Sequence, residues 1–374
     1  VKRRLEESDV PKFRSYFGAL LQRGDDAAVF NAVDSLDVAR PFWVRIKVLY
    51  SETSPAQVVE KLVEKRKLVR INDRALSFSY TCTIGQENRR EIEVPFFIAS
   101  FDQQQLKESV QAVVSVCQRD EWNALKRLLR TEYPRLVPIL LSQRELVNGA
   151  KRLRLSTGHA IRVRDLSARE PIESPLGQTR KSVREWTDED LDKVLLAVQD
   201  RHQLITSLNL EFFPILGESR HVVPKATCKI RKTGEIEADG SFALAFQAVA
   251  AEVARVGYKK LSFYSGRGLR QSQYRPLPLE INFPLPVFDD VEVVRSLVQL
   301  LVQYPHSMHA VHHGNPYAHV KLTDMTDLSG FEIWAVSPSR LALLPGLRAS
   351  AAAFERLVDY VFEHFREGDV ANYE

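Results

Sequence analysis

Apolar and basic residues alternate along Phe42-Trp43-Val44-Arg45-Ile46-Lys47-Val48-Leu49-Tyr50, the period-two pattern of a half-buried strand. Upstream, the segment to about Asp34 predicts a largely polar helix with Phe13, Phe17, Leu20 and Leu21 on one stripe. Downstream, Ser54-Pro55-Ala56-Gln57 predicts a helix start. Ser54 caps it, Pro55 sits where its missing N–H costs nothing, and Gln57 completes a capping box. Strands follow at 75–83 and 91–100 around a Gly85-Gln86-Glu87-Asn88 turn. Asp102 then predicts a capped helix with Leu106, Val110, Val113, Val114 and Cys117 on one face. Residues 121–154 read as helix interrupted near Pro134 and Pro138.

Between 165 and 186 the pattern changes to Ser, Pro, Gly and alternating charge, which predicts a linker or long surface loop. Thr187-Asp188-Glu189-Asp190 predicts a new helix with carboxylates at its positive end. Strands at 204–213 and 226–230 follow, the second turning through Gly234 towards Ile236. Asp239-Gly240-Ser241 opens the most apolar helix, predicted from Phe242 to Val256 and stopped by Gly257. Further strands are expected at 261–264 and 279–283, and a helix from Asp290 to Gln303. A hairpin then spans 308–313 and 317–323 around Gly314-Asn315-Pro316, followed by strands at 331–336 and 340–344. Phe354, Leu357, Val358, Val361 and Phe365 recur at helical spacing in a last helix ending at Gly368. The order predicts an α+β fold of two domains, each a mixed, largely antiparallel sheet with amphipathic helices packed on one face. The expected division is 1–164, a linker at 165–186, and 187–374.

Composition narrows the class. The 374 residues are 44% hydrophobic and 27% charged, an ordinary globular balance that excludes collagen-like and wholly disordered chains. No apolar run is long enough for a membrane helix, so no membrane partner is expected. The first residues are charged and lack a signal peptide's apolar core. The opening valine fits a fragment or an alternative start codon. Cys82, Cys117 and Cys228 lie far apart, which suits a reducing cytoplasm. The net charge of +4 is unevenly spread: 136–184 carries an excess of six basic residues and 289–374 an excess of six acidic ones. Such asymmetry favours an anionic partner or attraction between the ends.

Marked catalytic motifs are missing. There is no phosphate-wrapping G-x-x-x-x-G-K-[ST] loop and no G-x-S-x-G elbow. Gly266-Arg267-Gly268 begins like a dinucleotide fingerprint, but Gln271 replaces its third glycine. Two clusters carry candidate chemistry instead. The stretch Tyr264, Arg267, Arg270, Tyr274 and Arg275 combines phosphate-pairing guanidiniums with base-stacking phenols, the makings of a nucleic-acid contact. Lys225, Lys229, Arg231 and Lys232, and separately Lys151, Arg152, Arg154, Arg162 and Arg164, extend the basic character. The second cluster is His306, His309, His312, His313 and His319, followed by Asp324 and Asp327. Strand alternation places His309 and His313 on one face, with His319 across the turn. A divalent transition metal on His309, His313 and His319, or acid/base work by His313, His319 and Asp324, is the enzymatic alternative, a hydrolase with Lys321 or Arg267 holding an anion. Against it, Lys321 places a cation on the His319 face, and hairpin histidines also stack on rings such as Trp334. The leading expectation is a non-enzymatic, intracellular binding or scaffolding subunit of a larger assembly. It would have no cofactor and a protein partner, with nucleic acid the first contact to test.

Overall fold

The computed structural model describes residues 17–22, 31, 33, 43–72, 76–84, 90–101, 109–169, 182–194, 204–214, 224–267, 276–314, 318–346 and 348–373. They form two compact units. The first holds the described residues of Val1–Glu170 and Ser182–Tyr258, and the second those of Lys259–Glu374. The architecture is α+β, two antiparallel sheets with helices.

The first unit runs β1 (Trp43–Tyr50), α1 (Pro55–Glu64), β2 (Val69–Asn72), β3 (Ser77–Ile84), β4 (Arg90–Ser100), β5 (Val110–Cys117), α2 (Arg119–Arg130) and β6 (Val137–Pro138). It continues with α3 (Gln143–Thr157), β7 (His159–Arg169), β8 (Ser182–Asp190), β9 (Leu204–Pro214), β10 (Ala226–Arg231) and β11 (Glu235–Gly240). These strands build one eleven-stranded sheet, ordered β2-β3-β4-β5-β1-β11-β10-β9-β7-β8, with β6 paired to β1. Phe242–Leu244, the π-wound Ala245–Ala250 and Ala251–Tyr264 follow one another as a helical run, α4. Helices α1 and α2 bury Val58, Val59, Leu62, Trp122 and Leu125 with Phe78, Phe96 and Val113 of the sheet. Ile230 of β10 lies against Leu146 of α3 and Val249 and Val253 of α4.

Several expectations change here, each for a physical reason. Residues 110–117 are strand rather than helix, because β5 is central and buried on both faces; such strands read as continuous apolar runs. Asp102 and Leu106 lie outside the described residues. Ser54 stands at the α1 N-cap, yet its hydroxyl donates to Gln111 Oε1 (3.0 Å), and that oxygen also accepts the Ala56 N–H (2.9 Å). The cap is therefore supplied by β5. Residues 165–169 and 182–186, expected as linker, pair as β7 and β8, and β7 also pairs with β9. The division between units falls after Tyr258, inside α4. Residues 187–190 complete β8, and helix begins only at Leu191. Helix α4 does not stop at Gly257 and takes in residues 261–264, expected as strand. Gly257 is there because Ile139 packs onto it: a Cβ would lie 2.3 Å from Ile139 Cδ1.

Strand β1 is the main departure. Its basic positions are buried with its apolar ones, Arg45 at 3% exposure and Lys47 at 8%. Register aligns Ser115, Arg45, Glu237, Lys229, Asn209 and Asp165 in one row across β5, β1, β11, β10, β9 and β7. Within it Arg45 Nη1 donates to Glu237 Oε1 (2.6 Å) and Asn209 Nδ2 to Asp165 Oδ2 (2.6 Å), while Lys229 lies 3.6 Å from Asp165. Beside it, Glu235 accepts from Trp122 Nε1 (2.7 Å) and Lys126 Nζ (2.8 Å). Burial alone would raise the Glu235 pKa. The Lys126 hydrogen bond and the charges of Lys126, Lys47 and Arg231 bring it below the ordinary value instead. Buried charges persist only when paired, and this sheet supplies a partner on the adjoining strand or helix.

The second unit contains the end of α4, then β12 (Leu279–Asn282), α5 (Val291–Val302), β13 (Ser307–Gly314), β14 (Ala318–Asp324), β15 (Ser329–Ser337), β16 (Arg340–Pro345), α6 (Ala351–His364) and β17 (Asp369–Asn372). Its six strands order β13-β14-β15-β16-β12-β17. Asp290 caps α5 by accepting the Glu292 N–H, and Ser350 caps α6 by accepting that of Ala353. Phe354 of α6 meets Phe331 edge-on and Tyr264 face-on, forming the centre of the core. Among the described residues no helix is long and apolar enough to cross a membrane.

Candidate functional site

The histidine hairpin forms as expected, β13 against β14, with His313 opposite His319. Alternation along β13 is broken, however, by a bulge between Val311 and His313. His309 pairs with Leu322, whose side of the sheet is the buried one, whereas His313 pairs with His319 and shares the opposite side with Trp334. The proposed ligands His309, His313 and His319 therefore do not converge. Among the described residues no three His, Cys, Asp or Glu side chains are grouped to hold a metal ion.

Asp324 lies with Leu322 on the buried side, away from His319. Its Oδ2 accepts Tyr304 OH (3.1 Å) and both Nε (2.9 Å) and Nη2 (2.5 Å) of Arg356, and its Oδ1 accepts the Thr326 N–H (2.8 Å). Asp327 accepts from Ser329 N and Ser350 Oγ, tying the turn to α6. Burial and the Asp324 carboxylate push the Tyr304 phenol well above its ordinary pKa. These carboxylates anchor the hairpin to α6 and do not face the imidazoles.

The bulge instead turns His312 over its neighbour. His312, His319 and Trp334 form a pile of three rings, with centroids 4.5 Å and 3.6 Å apart and planes within 24° and 21°. His319, in the middle, is partly buried, while His312 is exposed and Trp334 is 36% exposed. Burial, with His312 beside it, lowers the His319 pKa, and Glu332 at 3.7 Å opposes this incompletely. Lys321, two residues along β14 and exposed, lies across from Glu332. The result is a stacking surface with one lysine and the exposed His313 imidazole beside it.

The tyrosine–arginine stretch is placed differently. Tyr264 is 1% exposed in the core, and the Arg267 guanidinium donates to the Phe263 carbonyl (2.5 Å) and Asn372 Oδ1 (2.6 Å), 4.1 Å from the Phe263 ring centroid. Arg267 holds the end of α4 to β17, Tyr264 stacks on Phe354 of α6, and both are buried rather than open to a ligand. Arg270, Tyr274 and Arg275 lie outside the described residues. The other basic groups are largely internal pairs: Lys229 with Asp165, Arg231 with Glu237, Arg152 with Glu252, Arg154 with Asp192, and Arg164 with Glu211. Arg162 lies over the Phe213 ring. Lys225 and Lys151 remain exposed.

The sequence offers Trp334 only as a ring for the histidines to stack on, not as a binding residue, although the strict alternation of Phe331, Ile333 and Ala335 leaves it on the face opposite the core. No protein-family model matches the chain, and no curated protein does.

Proposed function

We propose that the protein is a non-catalytic binding subunit that contacts single-stranded nucleic acid through the ring pile of its hairpin, within a larger cytoplasmic assembly. The observation that carries this reading is the pile itself, ending in exposed His312 and Trp334. Any base offers a π-face to such an end, so stacking gives affinity without sequence preference. Lys321 and His313 are positioned beside the pile for phosphate contact. Three buried cysteines, far apart in sequence, suit a reducing compartment.

The test is fluorescence anisotropy with a labelled oligothymidylate. Binding is expected at about 50 mM salt, weakening steeply towards about 200 mM as phosphate contacts release counterions. Trp334→Ala is expected to weaken it roughly tenfold or more, within the range for loss of one stacked base. No binding at low salt, or binding indifferent to Trp334→Ala in a variant that melts like the parent, removes this reading.

A further inference from the structure

A groove in the first unit lies along the start of α4, far in sequence from the hairpin. It is a shallow groove of about 760 Å³ between the C-terminal end of α3 and residues 241–255. Its floor is short and apolar: Ala243, Leu244, Ala248 and Ala251. Leu155 stands at its rim at 84% exposure, the most exposed large apolar side chain among the described residues. The floor includes part of the π-wound turn, an irregularity frequent at functional sites.

Cations stand at both ends. Lys225 is exposed beside Ser241, whose N–H donates to the Lys225 carbonyl. At the other end Glu252 is shared by Arg152 (Nε, 2.6 Å) and Arg255 (Nε, 3.0 Å; Nη2, 2.8 Å). Two guanidiniums on one carboxylate leave an excess positive charge there. At a rise of about 1.5 Å per residue the distance from Ser241 to Arg255 is about 20 Å.

We infer that this groove is a docking site for an acidic peptide segment of a protein partner, one with an aliphatic residue between acidic residues at either end. The match is one of charge and length. An extended chain of about six residues covers about 20 Å and places a carboxylate near each cationic end. Its aliphatic residue covers Leu155 and Leu244, which a phosphodiester chain would leave wet. A compact anion would meet only one of the two cationic ends. Docking here is independent of the ring pile, so either site can fail without the other.

The experiment titrates the full chain with a fluorescein-labelled peptide that has paired glutamates at each end and leucines between them. The same peptide with glutamines in place of glutamates is the control. The glutamate peptide is expected to bind, and the glutamine peptide at least about tenfold more weakly. Lys225→Glu and Leu155→Asp, both at exposed positions, are each expected to weaken it by a similar factor without changing thermal unfolding or oligothymidylate binding. Equal binding of the two peptides, or no binding at millimolar peptide, overturns the inference. It is equally overturned if Lys225→Glu abolishes oligothymidylate binding and leaves the peptide unaffected, since the groove would then serve phosphates.

Discussion

Arg356 directs both Nε and Nη2 at a single oxygen of Asp324, at 2.9 and 2.5 Å, across 32 residues of chain. The carboxylate is 1% exposed and the guanidinium side chain 22%. Removing one member of such a pair strands the other in a poorly solvated place. Asp324→Asn is therefore expected to destabilise the protein by about 3 kcal/mol, the low end for a broken buried pair, because Asp327 remains 3.5 Å from Arg356. Urea unfolding checks this. Replacing both residues by apolar ones of similar volume should recover much of the loss. A carboxylate held for metal or acid chemistry would behave differently: Asp324→Asn would leave stability nearly unchanged.

Lys47 donates to the Thr233 carbonyl beneath the β10–β11 turn. Burial lowers its pKa from 10.5 to about 7, and the nearby Glu235 opposes this only in part. Between those two values the unfolded chain holds a proton that the folded chain has released. Raising the pH through this window therefore favours folding, and the gain is lost as pH falls through about 7. The urea midpoint is expected to rise from pH 7 to about pH 10, and Lys47→Met should flatten that rise. A parent protein whose slope matches that of Lys47→Met would show that Lys47 is charged in the fold.

How much of this was legible beforehand depends on where the deciding atoms lie. Local signals located α1, α5, α6 and the hairpin, because Ser54-Pro55, Asp290 and the alternation at 318–324 each act within a few residues. What misled was tertiary context. The run Val110–Cys117 fits a helical face as well as a doubly buried strand, and only its neighbours β4 and β1 decide. Arg45 and Lys47 read as solvent-facing because Glu237 and Glu235, nearly two hundred residues on, could not be seen beside them. At the site, a one-residue bulge in β13 put His309 and His313 on opposite sides of the sheet, turning an expected ligand set into a ring pile. The groove left only a faint trace, the Glu252-x-x-Arg255 spacing, without its partner Arg152.

Gly257 illustrates a residue whose sequence signal had the wrong cause. As a helix stop, its replacement by alanine would be neutral or mildly favourable by propensity. In the structure the helix runs through it, and an added Cβ would meet Ile139 atoms at 2.3 to 2.7 Å. Ile139 is fully buried, so it has little room to give way. Gly257→Ala is expected to lower stability by about 1–3 kcal/mol, the cost of overpacking. Adding Ile139→Ala should relieve the clash, so the pair is less damaged than the two single effects summed. Strict additivity in thermal or urea unfolding would show that the two positions do not touch.

The ring pile has its own pH signature. His319 lies between His312 and Trp334, and its pKa falls below the ordinary 6.5 because burial disfavours the cation and His312 adds to this. The groups facing it are His312, His313 and Glu332, and the attraction of Glu332 does not offset the rest. The folded state thus prefers the neutral ring, while the unfolded chain accepts a proton near 6.5. Stability from this residue is complete above that value and is lost as pH falls towards the lower, folded value. Other groups titrate in the same range, so the comparison is with His319→Phe, which keeps a flat ring in the pile and cannot be protonated. The parent is expected to lose more urea resistance between about pH 7 and pH 5 than His319→Phe does. If the two curves run parallel, His319 is not held neutral by the pile, and the stacking surface proposed for bases loses its central ring.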